Sequence, residues 1–302
     1  MAVFFVLGLG GPMAALAATT PSLGAAATYS VLSSTYTNTA AGTIINGDIG
    51  FTTGPAVTPA GVHTNFGSAA PYSTAGTDQG SALSALAVQP CTFTFAPGAI
   101  DFATDTTHGA IGVYTPGVYC TSAAASIGTG GITLSGAGTY IFRVNGALTT
   151  VANSAVTLAG GASACDVFWT PTAATTLGAN STFVGTDIDA SGITIGSTVT
   201  WTGRALAFGG TVSTTTDTIS TPTCAAPPPI VPPAAPPPVV PPPVVPPVVV
   251  PPVIAPAVAV APPLPAAGFG PAESNTPWNI IIPSGIFVAL FAFYLARKKL
   301  AI

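Results

Sequence analysis

The 302-residue sequence predicts an all-β fold built as a parallel β-solenoid, with one helix packed alongside and a transmembrane helix near the C-terminus. Three observations carry that expectation. Residues of like kind recur at an interval of 18 between Leu177 and Ile219. Charged residues form 5% of the chain, against about a quarter in typical soluble proteins, while Thr, Val, Ala and Gly abound. The segment from Trp278 to Ala296 carries no charge at all.

At the 18-residue interval, Leu177 superimposes on Ile195 and Ser213, and Phe183 on Trp201 and Ile219. Gly185 meets Gly203, and Ile188 meets Leu206. Apolar residues at one phase and glycines at another, within strand-like sequence, mark a coil that stacks on its neighbours. Successive strands are then parallel and about 4.8 Å apart. Strand alternation assigns the faces. With Val199 and Trp201 inward, Thr198 and Thr200 point out; one coil earlier stand Asn180 and Thr182, one coil later Thr216 and Thr218. Thr157 is expected to extend the second of these columns. The surface so built is a lattice of hydroxyls and methyls, although Thr is in any case a good exposed strand residue.

One stretch departs from strand patterning. In Thr77–Val88, Leu83, Leu86 and Ala87 share a helical face, Thr77 and Asp78 offer an N-terminal cap, and Pro90 stops the helix.

The flanks differ from this body, which spans 18–224. Residues 1–17 hold an apolar run and Ala15-Leu16-Ala17, which reads as a secretory signal without a basic start. Residues 225–265 are a Pro/Val/Ala tract, expected as a polyproline II stalk because proline lacks the N–H and fixes φ. The apolar segment 278–296 would cover about 28 Å as a helix, close to a bilayer core. It is followed by the basic tail 297–302, with Arg297, Lys298 and Lys299. The positive-inside rule places the tail in the cytoplasm, the body outside, and the lipid membrane as a partner.

Cys91, Cys120, Cys165 and Cys224 are even in number and fit no zinc spacing. Of three possible connectivities, the expected one is Cys91–Cys120 with Cys165–Cys224, the second tying the last coil to the body. Arg143 and Arg204 are the only basic residues before Arg297, which excludes nucleic-acid binding through phosphates. No cofactor and no metal are expected. An enzyme is not expected either: Asp187 and Asp189 could meet Asp166 or Asp217, but no Lys or His lies near in sequence. Arg204 is expected to form a structural pair with Asp187.

Several motifs in order then resemble one family. Leu23–Gly50 (LGAAATYSVLSSTYTNTAAGTIINGDIG) resembles the opening of the bacterial and fungal ice-binding-protein-like domain. So do Gly112–Cys120 (GVYTPGVYC), Gly136–Thr150, Cys165–Pro171 (CDVFWTP) and Leu177–Ala207. The resemblance covers nearly all of 22–221. It implies a right-handed, three-faced β-solenoid wound out of sequence order near its N-terminus, with a helix along one side. It also implies, for some members, adsorption to an ice crystal through one flat face. Carried to this chain, the ice-binding residues would be Thr157, Asn180, Thr182, Thr198, Thr200, Thr216 and Thr218. Because many members have no established activity, the fold alone does not decide; a surface adhesin or structural envelope protein is the competing expectation.

Leu264–Phe269 (LPAAGF) resembles the LPxTG signal that sortases cut in Gram-positive surface proteins. Leu264, Pro265 and Gly268 match, and Ala267 stands where that family has Thr. The order motif, apolar span, basic tail also matches. Together these features place the chain on the extracellular face of a bacterial envelope, with a sortase as a possible partner.

Overall fold

The structure is a computed structural model, and it describes residues 17–224. The signal-like segment, save Ala17, lies outside the described residues, as do the proline stalk, the sorting-like motif, the apolar span and the basic tail. Among the described residues, no helix is long and apolar enough to cross a membrane.

Every strand pairing is parallel, as a solenoid requires. Among the described residues, sixteen strands form one continuous sheet and three more a second. The strand Thr200–Thr214 shows how the coil turns. Its start pairs with Thr182–Ile188 and Thr218–Ser220, its middle with Thr182–Ile188 and Tyr29–Asn38, and its end with Tyr29–Asn38 and Ile193–Ile195. One strand thus visits three faces, bending between them.

The winding is out of sequence order. The N-terminal strand Tyr29–Asn38 stacks on Thr200–Thr214, and Ile44–Asn46 stacks on Thr218–Ser220. The first coils of the chain therefore follow the last.

Inward columns fill the lumen. Tyr119, Phe142 and Trp169 are in register, with Phe142 stacked on Trp169 at 4.2 Å and on Tyr119 at 5.3 Å. A second column runs Phe183, Trp201 and Ile219, as the 18-residue interval predicts, and continues to Ile45, all four buried. Burial of such side chains removes about 1.5–3 kcal/mol of apolar exposure each. The indoles are satisfied within the coil: Trp201 Nε1 donates to Gly185 O and Trp169 Nε1 to Val184 O, both at 2.8 Å.

The helix runs Tyr72–Ala87, starting five residues before the expected Thr77. Pro71, not Thr77 or Asp78, occupies the N-cap. Tertiary packing sets the earlier start: Tyr72 packs at a tilt against Phe208, ring centroids 5.1 Å apart, and Ala75 and Gly76 are buried on the solenoid. Asp78 instead accepts a hydrogen bond from Ala25 N at 2.7 Å. The contact face is Tyr72, Ala75, Gln79, Ala82 and Leu86; Leu83 is half-buried and Ala87 exposed.

The disulfides are Cys91–Cys120 and Cys165–Cys224, as expected. The second ties the last described residue to the body.

Candidate functional site

Three outer faces compete for a role. The first carries the helix, against Val118, Ile141, Phe168, Ile188 and Leu206, and is thereby covered.

The second is a hydroxyl face. Its outward positions align as Ser126, Thr149, Thr176, Thr194, Ser213 and Thr37, in six consecutive coils. Each stands between buried inward residues, for example Ile193 and Ile195 around Thr194. Thr149, Thr176 and Thr194 are exposed. Among the described residues no hydrogen bond engages their hydroxyls, whereas Thr37 Oγ1 donates to Ser213 Oγ at 2.8 Å. Two residues before each central member stand Ala124, Ala147, Ala174 and Gly192; two residues after stand Gly128, Val151, Gly178 and Gly196. No side chain beside the central column is larger than valine, so the face is flat. Its one charge is Asp101, in register with Ser126 at one end.

The third face holds part of the sequence-predicted site. Thr182, Thr200 and Thr218 do form a column in register, which then passes to Ile44. Beside it run Val184, Thr202, Ser220 and Asn46.

Asn180, Thr198 and Thr216 do not lie on that flat strand. Asn180 (φ 57°) and Thr198 (φ 59°) are left-handed corner residues between the second and third faces, and the strand begins only at Thr200. Such a conformation is tolerated best by short polar side chains that bond locally. Thr198 Oγ1 donates to Asn180 Oδ1, and Thr198 N donates to Thr216 Oγ1 at 3.2 Å. The expected two-column strand is therefore one column plus a hydrogen-bonded corner ridge. Thr157 departs further. It is in register with Thr133, hydroxyl to hydroxyl at 3.0 Å, and the residue that bridges to Thr182 is Ala155. The position one coil before Thr182 is Ala155, 27 residues upstream, so Thr157 falls two residues further along the strand.

Asp187 and Asp189 lie near each other, but neither Asp166 nor Asp217 joins them. Asp217 accepts from Thr215 N and Val199 N, Asp166 from Thr20 Oγ1, and Asp189 from Ser191 N. Among the described residues, no cluster of three or more His, Cys, Asp or Glu could hold a metal ion. The expected Arg204–Asp187 pair is absent. Arg204 is in register with Thr186, so Asp187, one residue on, points to the opposite side of the sheet. Arg204 instead donates to Ala27 O at 2.8 Å and Thr186 Oγ1 at 3.2 Å, and burial lowers its pKa to about 10.

Comparison with known proteins follows the same geometry. The family described as Ice-binding-like matches residues 31–220. An ice-binding protein of Flavobacterium frigoris (strain PS1) is 39% identical over 95 residues, which is 31% of this chain and 34% of that relative. This chain thus aligns with about a third of that relative's length. The crystal structure of an ice-binding protein from an Antarctic bacterium of the Flavobacteriaceae superimposes with a TM-score of 0.59 at 30% identity. That match covers 68% of this chain and 48% of the other. The ice-binding protein of the Antarctic ascomycete Antarctomyces psychrotrophicus gives 0.60 at 28% identity, covering 68% of this chain and all of the other. A parallel solenoid with one flanking helix, matched by that family over most of its coils, makes this chain a member of the ice-binding-like family.

Proposed function

We propose that this protein adsorbs to ice through the hydroxyl face, centred on Thr149, Thr176 and Thr194. The observation that carries the reading is the unbroken column of Ser or Thr across six coils, flanked only by small residues. Coils repeat at about 4.8 Å, so the hydroxyls and methyls form a periodic array. Methyl groups order water over them while hydroxyls hold it by hydrogen bonds. A charge within the array would impose its own hydration shell. The coils are fixed before contact, so adsorption orders few side chains and costs little conformational entropy. Adsorbed protein then pins the advancing crystal surface.

The third-face column Thr182, Thr200 and Thr218, with the corner ridge Asn180, Thr198 and Thr216, is the neighbouring candidate. It spans three coils before Ile44 interrupts it, half the length of the hydroxyl column. The proposal includes location: export, and tethering to the extracellular face of the envelope by the apolar segment 278–296 and the sorting-like motif. A surface adhesin with the same fold is the competing reading. Ice-affinity partition decides between them: enrichment in the ice fraction is expected, and complete exclusion from ice overturns the proposal in favour of an adhesin.

A further inference from the structure

One feature of the interior serves neither packing nor the outer faces. The inward column Tyr119, Phe142, Trp169 is continued by Asp187, and only then by Ala205 and Val31. Asp187 is fully buried, and neither of its carboxyl oxygens has a hydrogen-bond partner. The same holds for Asp189 Oδ2 and for Thr175 Oγ1, on residues with 1% and 0% exposure. Thr175 lies close enough to act on both carboxyls, though it makes no well-aligned hydrogen bond to either. Four buried polar atoms at one corner of the lumen are thus left over, where native interiors leave few.

Among the described residues, no protein cation reaches them. Arg204 lies on the outer side of the sheet, bonded to Ala27 and Thr186, and Arg143 donates to Gln89 O. The strands packed against Asp187 present Trp169, Ala205 and Thr175, none of them charged. Asp189 is the one titratable group that acts on Asp187. Two buried carboxylates side by side cannot both stay ionised without a compensating cation.

We propose that Asp187 and Asp189 form an internal proton-binding site. One proton is held between the two carboxyls, with the Thr175 hydroxyl donating to the remaining oxygen. A single proton and one rotated hydroxyl are enough to engage all four atoms. Asp189 also lines a cavity of about 590 Å³ between the helix end and the strands, which gives solvent a route for proton exchange. Thr175 immediately precedes Thr176, so the pair lies directly behind the hydroxyl face, its two carboxyls reduced by the shared proton to a single negative charge.

Burial, and then the charge of Asp189, push the Asp187 carboxyl well above the usual carboxylate range, and burial raises Asp189 as well. A group whose folded pKa is raised stabilises the fold fully below its unfolded pKa, and that stability is lost as pH rises through the folded value.

The test is the thermal midpoint of the whole protein from mildly acidic to mildly alkaline pH, for wild type and Asp187→Asn. The wild-type midpoint is expected to fall as pH rises. The variant, isosteric and always neutral, should show a smaller fall and exceed wild type at the alkaline end. His63, His108 and the raised Asp217 are common to both proteins and cancel in the difference. Equal slopes in the two proteins overturn the proposal. A midpoint raised by calcium and lowered by EDTA also overturns it, because a bound cation would then be the occupant. Should the variant not fold, carbon-13 NMR of the aspartate carboxyls in wild type still decides. One carboxyl must remain protonated at neutral pH, and ordinary titration of every aspartate sinks the idea.

Discussion

Thr176 and Thr194 stand directly opposite each other in adjoining coils, both exposed and both outward. They are the centre of the hydroxyl column, and a bulky side chain there would hold a flat crystal plane off the face. Thr194→Tyr should reduce inhibition of ice recrystallisation by roughly tenfold or more, equivalent to at least about 1.4 kcal/mol of adsorption free energy. Circular dichroism and the thermal midpoint should stay near wild type, since surface substitutions are usually worth within about 0.5 kcal/mol. Thr200→Tyr, on the third face, should retain most activity. The opposite ranking would move the site to the Thr182–Thr200–Thr218 column.

Why the sequence points to the third face first is a matter of coil length. Phe183, Trp201 and Ile219 repeat at 18 residues, as do Thr182, Thr200 and Thr218, so that face is visible at one fixed interval. On the hydroxyl face Ser126, Thr149, Thr176 and Thr194 align across intervals of 23, 27 and 18 residues. Corners and loops of unequal length absorb the difference, and no constant period displays it. The closing contact is less visible still: Val31 pairs with Ala205 across most of the domain, a register set by the three-dimensional winding alone. The alternation of Val199 and Trp201 against Thr200 was legible because a strand inverts its side chains at every residue. Thr198 was not, because its left-handed φ breaks that alternation two residues before the strand begins.

The recurring glycines have a steric cause that can be tested. Gly185 has φ 104°, a region that side chains avoid, and turns the chain between two faces. Gly203 pairs with it in the next coil. A Cβ on Gly203 would collide with the Gly185 carbonyl oxygen and with the Trp201 indole nitrogen, the two partners of a buried hydrogen bond. Gly203→Ala should therefore cost about 3 kcal/mol, the upper end for overpacking a tight interior. Chemical denaturation would show it as a lowered midpoint. A stability equal to wild type would mean that the coils can spread locally.

Cys165–Cys224 closes a loop spanning 59 residues and holds the chain where it leaves the solenoid. On the chain-entropy account, a loop of that size is worth about 4 kcal/mol through restriction of the unfolded state. Cys165→Ala with Cys224→Ala should lower the free energy of unfolding by that amount, read from chemical denaturation. Ice activity at low temperature should survive, because neither cysteine lies on a strand of the hydroxyl face. Loss of activity in a variant that remains folded would show that the clasp also aligns the face.

Asp105, bonded to His108, should contribute to stability on the acid side. His108 Nδ1 lies 3.0 Å from Asp105 Oδ1, its ring stacks on Tyr114 at 4.0 Å, and its side chain is 1% exposed. Thr107 donates to the same carboxylate oxygen through N at 2.9 Å and Oγ1 at 2.8 Å. Burial pushes the Asp105 carboxyl up, but the hydrogen bonds from His108 and Thr107 outweigh it and hold its pKa below the ordinary 3.8. A depressed folded pKa gives stability that is present above the unfolded value and lost as pH falls through the folded one. Asp105→Asn should therefore be less stable than wild type at neutral pH, and the gap should close in strong acid. This is the reverse of the behaviour expected for Asp187→Asn, whose difference from wild type grows toward alkaline pH. Midpoints of both variants across the full pH range separate the two: a gap for Asp105→Asn that persists unchanged into strong acid would assign its effect to lost packing around His108 and Tyr114 rather than to the carboxylate.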